Sequence, residues 1–292
     1  IQRGTIDGTS NSSQAGYSVS LSSDGSIVAL GAPYNANGYV QVYKWNDSGF
    51  IKQGNDIYGE ASDDKFGYSV SLSSDGSIVA IGAPYNNGNG GDSGHVRVYK
   101  FNGSSWVKRG ADIDGEASGD KAGTSVALSS DGTVLAIGAP SNDGNGTFSG
   151  HVRVYKFNGS SWVKRGADID GEASSDQSGY SVSLSSDGSI VAIGATNNYG
   201  NGSYSGHVRV YEWNGSSWVK RLGDIDGKAS DDRSGYSVSL SSDGSIVAIG
   251  APFNDGNGND NGHVRVYKYD FEYILFKKEI QLFEGIERVT FN

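Results

Sequence analysis

The phrase Gly-Tyr-Ser-Val-Ser-Leu-Ser-Ser-Asp-Gly-Ser begins at Gly16 and returns at Gly67, Gly179 and Gly235, with the variant Gly-Thr-Ser-Val-Ala-Leu-Ser-Ser-Asp-Gly-Thr at Gly123. The steps are 51, 56, 56 and 56 residues. The short first step traces to one loop, because Gly31 to Gly38 spans 7 residues where Gly82 to Gly94 spans 12. A fixed core with a variable loop, copied five times, restricts the fold to architectures that stack one supersecondary unit. The units run 16–66, 67–122, 123–178, 179–234 and 235–292.

Each unit reads as four strands. In the second, Tyr68, Val70 and Leu72 alternate with Ser69, Ser71 and Ser73, the two-residue period of a strand. Asp75-Gly76 makes a hairpin turn, since Gly tolerates positive φ. Residues 77–83 form a second strand, and Pro84 ends it. The polar loop 85–94 leads to a third strand over 95–101, with Val96, Val98 and Lys100 on one face and His95, Arg97 and Tyr99 on the other. Asn102-Gly103 turns the chain into a fourth strand over 106–112. No helical period occurs in the body of any unit.

A single unit cannot bury both faces of its sheet. Radial stacking buries them and protects the edges, and small residues such as Ser69, Ser71, Ala80 and Ala83 suit close packing of sheets. The expected fold is all-β: one β-propeller domain over 1–292, of four-stranded antiparallel blades and five-bladed. The Tyr-Ser-Val-Ser-Leu strand is innermost and the Trp-Val-Lys-Arg strand outermost. A β-sandwich is the alternative, but it does not require five near-identical units. Residues 3–8 resemble 109–115 with one residue deleted, so 1–15 reads as an orphan outer strand and connector that closes the ring on the last unit. The last unit has a candidate fourth strand of its own at 271–280, and 281–292 has no counterpart elsewhere. A fragment, or a six- to seven-bladed assembly, therefore stays open as the alternative.

Composition narrows the function classes. The 33 acidic and 23 basic residues give a net charge of −10, which argues against a nucleic-acid footprint of clustered Lys and Arg. No apolar run approaches the ~18 residues of a membrane span. The absence of Cys excludes disulfides, a cysteine nucleophile and thiolate metal sites. The chain starts at Ile1 without a visible signal peptide, so the expectation is a processed or excised piece of a larger polypeptide or assembly.

The order Phe66-Gly67-Tyr68-Ser69-Val70, then Ile81-Gly82-Ala83-Pro84, then Gly94-His95-Val96-Arg97-Val98-Tyr99 resembles the FG-GAP repeat, which builds the propeller of integrin α-subunits and occurs in secreted algal and bacterial proteins. Gly-Ala-Pro recurs at Gly31, Gly82, Gly138 and Gly250 and becomes Gly-Ala-Thr at Gly194. The Phe-Gly half is kept only at Phe66-Gly67. The resemblance implies the propeller fold and points to adhesion or cell-surface recognition, hence an extracellular or cell-surface location. One fold hosts many roles, so it fixes no ligand.

The family's calcium loop, between the first two strands, carries several alternating Asp or Asn ligands. Here the turn offers one carboxylate, Asp75, with equivalents Asp24, Asp131, Asp187 and Asp243. That cannot supply the roughly six to eight oxygens calcium takes. An acidic cluster after the fourth strand, Asp112, Asp114 and Glu116 with its copy Asp168, Asp170 and Glu172, could bind Ca²⁺ or be a solvated face. The histidines His95, His151, His207 and His263 occupy one repeat position, too far apart in a propeller to share a metal. No other cofactor is expected.

Catalysis has little support, with no nucleophile elbow, zinc motif or phosphate loop. A glycan-processing enzyme and a purely structural scaffold are the alternatives to binding. The expected binding surface is the rim of variable loops 34–38, 85–94, 141–150, 196–206 and 253–262. Tyr34, Tyr85, Phe148, Tyr199, Tyr204 and Phe253 would supply aromatic area there for a protein or carbohydrate ligand. Seven Asn-x-Ser/Thr sequons, three in the recurring Asn-Gly-Ser turn, fit a glycoprotein.

Overall fold

The computed structural model describes residues 4–8 and 13–269. Among them there is no helix, and five antiparallel sheets follow the five units. Blade 1 runs Ser18–Leu21, Ile27–Ala32, Tyr39–Trp45, then Phe50–Lys52 with Ile57–Tyr58. Blade 2 runs Ser69–Leu72, Ile78–Ala83, His95–Phe101, then Trp106–Lys108 with Ile113–Asp114. Blade 3 repeats this with Ser125–Leu128, Val134–Ala139, His151–Phe157, Trp162–Lys164 and Ile169–Asp170. Blade 4 comprises Ser178–Leu184, Ile190–Ala195, His207–Trp213 and Trp218–Asp226. Blade 5 contributes Ser237–Leu240, Ile246–Ala251 and His263–Lys268. The expected strand at 271–280, the tail 281–292 and residues 1–3 lie outside the described residues.

The fourth strand is split in blades 1–3 and continuous in blade 4. Gly54, Gly110 and Gly166 take positive φ and interrupt the ladder. Blade 4 has Arg221-Leu222-Gly223 at that point, and its strand runs through with a bulge in the ladder to the third strand.

The cores lie between the blades. Ile27, Ala29, Val40 and Val42 of blade 1 pack on Val70, Leu72, Val79 and Ile81 of blade 2. The same arrangement repeats at the 2/3, 3/4 and 4/5 boundaries. The sheets of blades 2 to 4 are covered on both sides, so the His95/Arg97 face of the third strand of blade 2 is buried as thoroughly as the Val96/Val98 face.

The serine alternation explains the inner strands. Ser18, Ser69, Ser125 and Ser181 donate their hydroxyls to the carbonyls of Gly67, Gly123, Gly179 and Gly235 on the next blade. Ser20, Ser71 and Ser183 accept from the backbone N–H of Leu72, Leu128 and Leu240. An inner edge strand has no ladder partner, and these hydroxyls satisfy its backbone instead. A row of backbone bonds links the five hairpin turns in order: Ser23 N–H to Ser74, Ser74 to Ser130, Ser130 to Ser186 and Ser186 to Ser242.

The closure pairing expected of the N-terminus is not formed among the described residues. Residues 4–8 lie outside any strand. Gly4 sits against Phe50 and Trp45 of blade 1, as Gly54 sits against Trp106 and Phe101 of blade 2. The segment thus takes the place on blade 1 that a preceding outer strand would take. Val264 and Val266 of blade 5 are exposed.

Candidate functional site: the aromatic end of the axis

The first strand starts, and the second ends, at the same end of each blade. The residue after the repeated glycine therefore faces the variable loops. Four of these residues are tyrosines, Tyr17, Tyr68, Tyr180 and Tyr236, and the fifth is Thr124. Tyr17 and Tyr68 pack with ring centroids 5.0 Å apart, and Tyr180 and Tyr236 at 5.1 Å. The Tyr68 phenol is raised above its ordinary pKa mainly by burial, aided by the nearby phenols of Tyr85, Tyr34 and Tyr236. Tyr180 is raised by burial and its hydrogen bond with Tyr236. These hydroxyls stay protonated at neutral pH, available as donors.

Three of the expected rim aromatics join this group. Tyr34 stacks edge-on against Tyr17 at 5.5 Å, Phe253 against Tyr236 at 6.3 Å, and Tyr85 stands beside Tyr68. Tyr199 and Tyr204 pack on one another at 5.3 Å, and the Arg233 guanidinium ties Tyr204 to Phe253, 5.8 and 5.4 Å from their rings. Phe148 is exposed and stands apart, with no ring contact among the described residues. The connectors supply cations to the same surface: Lys65 lies 4.7 Å over Tyr34 and Lys121 5.2 Å over Tyr85. Such contacts hold the rings in place and put positive charge on this end of an acidic protein.

Blade 3 breaks the ring of tyrosines. Thr124 replaces the axial tyrosine, and Ser141 stands where Tyr34, Tyr85 and Phe253 stand in blades 1, 2 and 5. The two small residues leave a notch of about 160 Å³ walled by Tyr68, Tyr85 and Tyr180, with Lys121 and Gln177 at its edge. Thr124 Oγ1 donates to the Lys121 carbonyl at 2.8 Å, fixing the turn that presents the lysine. Flat aromatic walls with hydroxyl, amide and ammonium groups between them suit a small polyhydroxylated ring. The axial tyrosines were missed as site residues by the sequence reading, which assigned Tyr68 to strand alternation. The signal was available: one strand position is aromatic in four repeats and Thr in the fifth.

Of the six acidic residues, Asp112, Glu116, Asp168 and Glu172 are paired with cations of the scaffold. Asp112 takes a bidentate hydrogen bond from Arg97 at 2.9 Å and an ammonium contact from Lys108 at 3.0 Å. Glu60 of the preceding connector also pairs with Arg97, Glu116 with Arg153, and Glu172 with Arg209. Burial works against the charge on Arg97, but the carboxylates of Asp112 and Glu60 outweigh it and raise its pKa. Asp168 pairs with Lys164 at 2.9 Å. The Asp114 carboxylate lies 4.0 Å from His95 Nδ1. Asp170 is held above the ordinary carboxylate range by burial and by Asp168. Oxygens of Glu60 and Asp112 and a nitrogen of His95 approach within 4.8 Å, and two further blades repeat the group. Arg97 and Lys108 already neutralise those carboxylates, a poor fit to a divalent cation. The turn carboxylate Asp75 is likewise engaged by Ser73 Oγ at 2.6 Å and the Ser77 N–H at 2.9 Å.

The sequons fall into two groups. Asn46, Asn102, Asn158 and Asn214 use their side-chain oxygens to cap exposed turns. Asn145 and Asn201 donate their amides to the next connector, to Gly171 and Gly227. Asn11 lies outside the described residues.

An FG-GAP repeat family model matches residues 59–99 and 219–267. Comparison with curated proteins finds no significant match. Among solved structures, hydrazine synthase of Kuenenia stuttgartiensis superposes with a TM-score of 0.56 at 13% identity, over 86% of this chain and 70% of that one. TolB from Acinetobacter baumannii superposes with a TM-score of 0.51 at 15% identity, over 87% of this chain; the chain spans about half of TolB, 51%. Likeness at such identity speaks to fold alone and leaves enzymatic status open. Among the described residues no helix is long and apolar enough to cross a membrane. Two segments of the chain thus match the FG-GAP repeat, and its repeated strand order is that of a β-propeller.

Proposed function

We propose that this protein is an extracellular recognition module that binds a carbohydrate ligand at the aromatic end of its axis, the sugar seated in the notch at Thr124 and Ser141. The carrying observation is the double replacement of aromatic by small hydroxyl residues on one blade, between the walls of Tyr68, Tyr85 and Tyr180. The neighbouring aromatics, from Tyr34 round to Phe253, extend the contact to the rest of a glycan or to a protein that bears it. FG-GAP repeats are typical of extracellular proteins, and the exposed Asn-Gly-Ser turns fit that setting. Thr124 gives its hydroxyl proton to a backbone carbonyl and not to a base, which supports a binding role for this hydroxyl over a nucleophilic one.

A glycan array tests this with the wild-type chain, Thr124→Tyr and Tyr180→Ala. Thr124→Tyr restores the residue that four repeats carry and closes the notch. Selective binding by the wild type, lost in both variants, is the expected result. An array profile that Thr124→Tyr leaves unchanged would overturn the reading.

A further inference from the structure

We propose that this chain associates head to tail, with blade 5 of one copy docking on blade 1 of a second copy. The two ends of the arc present the two halves of the interface that each internal boundary already contains.

The halves can be read residue by residue. On blade 4, Ile190, Val208 and Val210 are buried by blade 5, at 4%, 0% and 1% exposure. Their equivalents on blade 5, Ile246, Val264 and Val266, are 38%, 68% and 65% exposed. On blade 2, Val70 and Leu72 are buried by blade 1, whereas their equivalents Val19 and Leu21 on blade 1 are 65% and 61% exposed. Apolar faces of this kind at both ends of a protein with net charge −10 mark contact surfaces.

The backbone features that accompany each boundary are present at both ends and lack their counterparts. Gly194 lies so close to the Gly235 carbonyl that a Cβ would collide with it, while Gly250 meets no residue of another blade. Gly76 packs on Ile27 of the preceding blade, whereas Gly25 and Gly16 face open space. The row of turn-to-turn backbone bonds ends at Ser242 on one side and begins at Ser23 on the other. Among the described residues four boundaries are filled, and these features together make up one more, divided between the two ends.

The occupant follows from continuity with the internal interfaces. The surface that fits blade 5 is the leading face of a blade of this repeat, and blade 1 of a second copy offers one with residues 4–8 already seated on it. In the junction, Ile6 and Asp7 of that copy fall beside Val264 and His263, the relation that Ile113 and Asp114 have to Val96 and His95. Gln41 stands where Arg97 stands in blade 2, so this junction has no Arg–Glu clamp and depends on apolar contact. A contact between two different faces is heterologous. It yields a closed ring if the rotation closes, and a filament otherwise.

Sedimentation velocity of the full chain over a range of concentrations tests this. The wild type is expected to gain mass with concentration, with little sensitivity to salt. Val264→Asp with Val266→Asp, and separately Val19→Asp with Leu21→Asp, alter exposed positions and should each give a monomer with unchanged circular dichroism. Each pair leaves the opposite face intact, so an equimolar mixture of the two should form a discrete dimer and grow no further. A wild type that stays monomeric throughout would overturn the proposal, as would a pair of aspartates that leaves the mass unchanged, or a mixture that stays monomeric.

Discussion

The Ser125 hydroxyl of blade 3 donates to the Gly179 carbonyl of blade 4 at 2.8 Å, and Gly138, paired with Ser125 across the hairpin, lies against the same carbonyl. Hydroxyl and missing side chain together let two inner strands approach closely. The glycine of the Gly-Ala-Pro phrase is there for this approach and not for backbone conformation, since Gly31, Gly82, Gly138 and Gly194 have no positive φ.

Gly138→Ala is therefore expected to destabilise the protein by about 1–3 kcal/mol, the range of overpacking in a close-packed interior. Gly250→Ala should cost far less in the monomer, because a Cβ there meets only Ser237 of its own blade and no carbonyl of a neighbouring one. Urea denaturation of both variants checks the contrast.

The Arg97 clamp predicts a second cost. Asp112→Ala removes a bidentate partner from an almost fully buried guanidinium while Glu60 stays in place. The loss should be about 2 kcal/mol, between that of an exposed pair and that of a fully buried one. Asp112→Asn, which keeps one acceptor, should lose less. Thermal denaturation of the two variants reads the difference.

Stability should fall on acidification before the carboxylates titrate. Burial lowers the pKa of His95, His151 and His207, and takes His151 from the usual 6.5 to about 4, with Arg153 acting in the same direction against weaker opposition from Asp168 and Asp120. The unfolded chain takes up these protons below about pH 6.5 while the folded protein does not. The stabilisation is complete above pH 6.5 and is lost as pH falls toward 4. His151→Tyr, the residue blade 1 carries as buried Tyr39, should flatten this slope by up to one proton in denaturation curves measured between pH 7 and 4.

Exchanging the 85–94 loop for the short 34–38 loop should keep the fold and change ligand recognition. Tyr85 and the adjoining wall of the notch would be rebuilt, and the strands at the loop's base would not. Array profiles unaffected by the exchange, with binding present, would place the contact elsewhere on the rim.

Much of the fold was legible because its determinants are local and repeated. The third strand His95–Phe101 and the hairpin at Asp75-Gly76 follow from alternation and turn chemistry within a few residues. The split of the fourth strand at Gly110 was not legible, because a glycine alone does not say which sign of φ it takes. Burial of Arg97 was hidden because its partner Glu60 comes from the preceding unit. The rim aromatics Tyr34, Tyr85 and Phe253 were legible as loop residues. Their gathering around Tyr17, Tyr68 and Tyr236 depends on the angle between blades, which no single repeat encodes.

At the base of the rim loops of blades 1 to 4 a parallel bridge joins the last loop residue to the connector entering the next blade: Gly38 to Phe66, Gly94 to Ala122, Gly150 to Ser178 and Gly206 to Ser234. The bridge at Gly38 is present although its loop is five residues shorter than that ending at Gly94. Loop length is thereby decoupled from the frame. Mutation and insertion in these segments can therefore alter the surface one loop at a time while the inter-blade cores stay untouched.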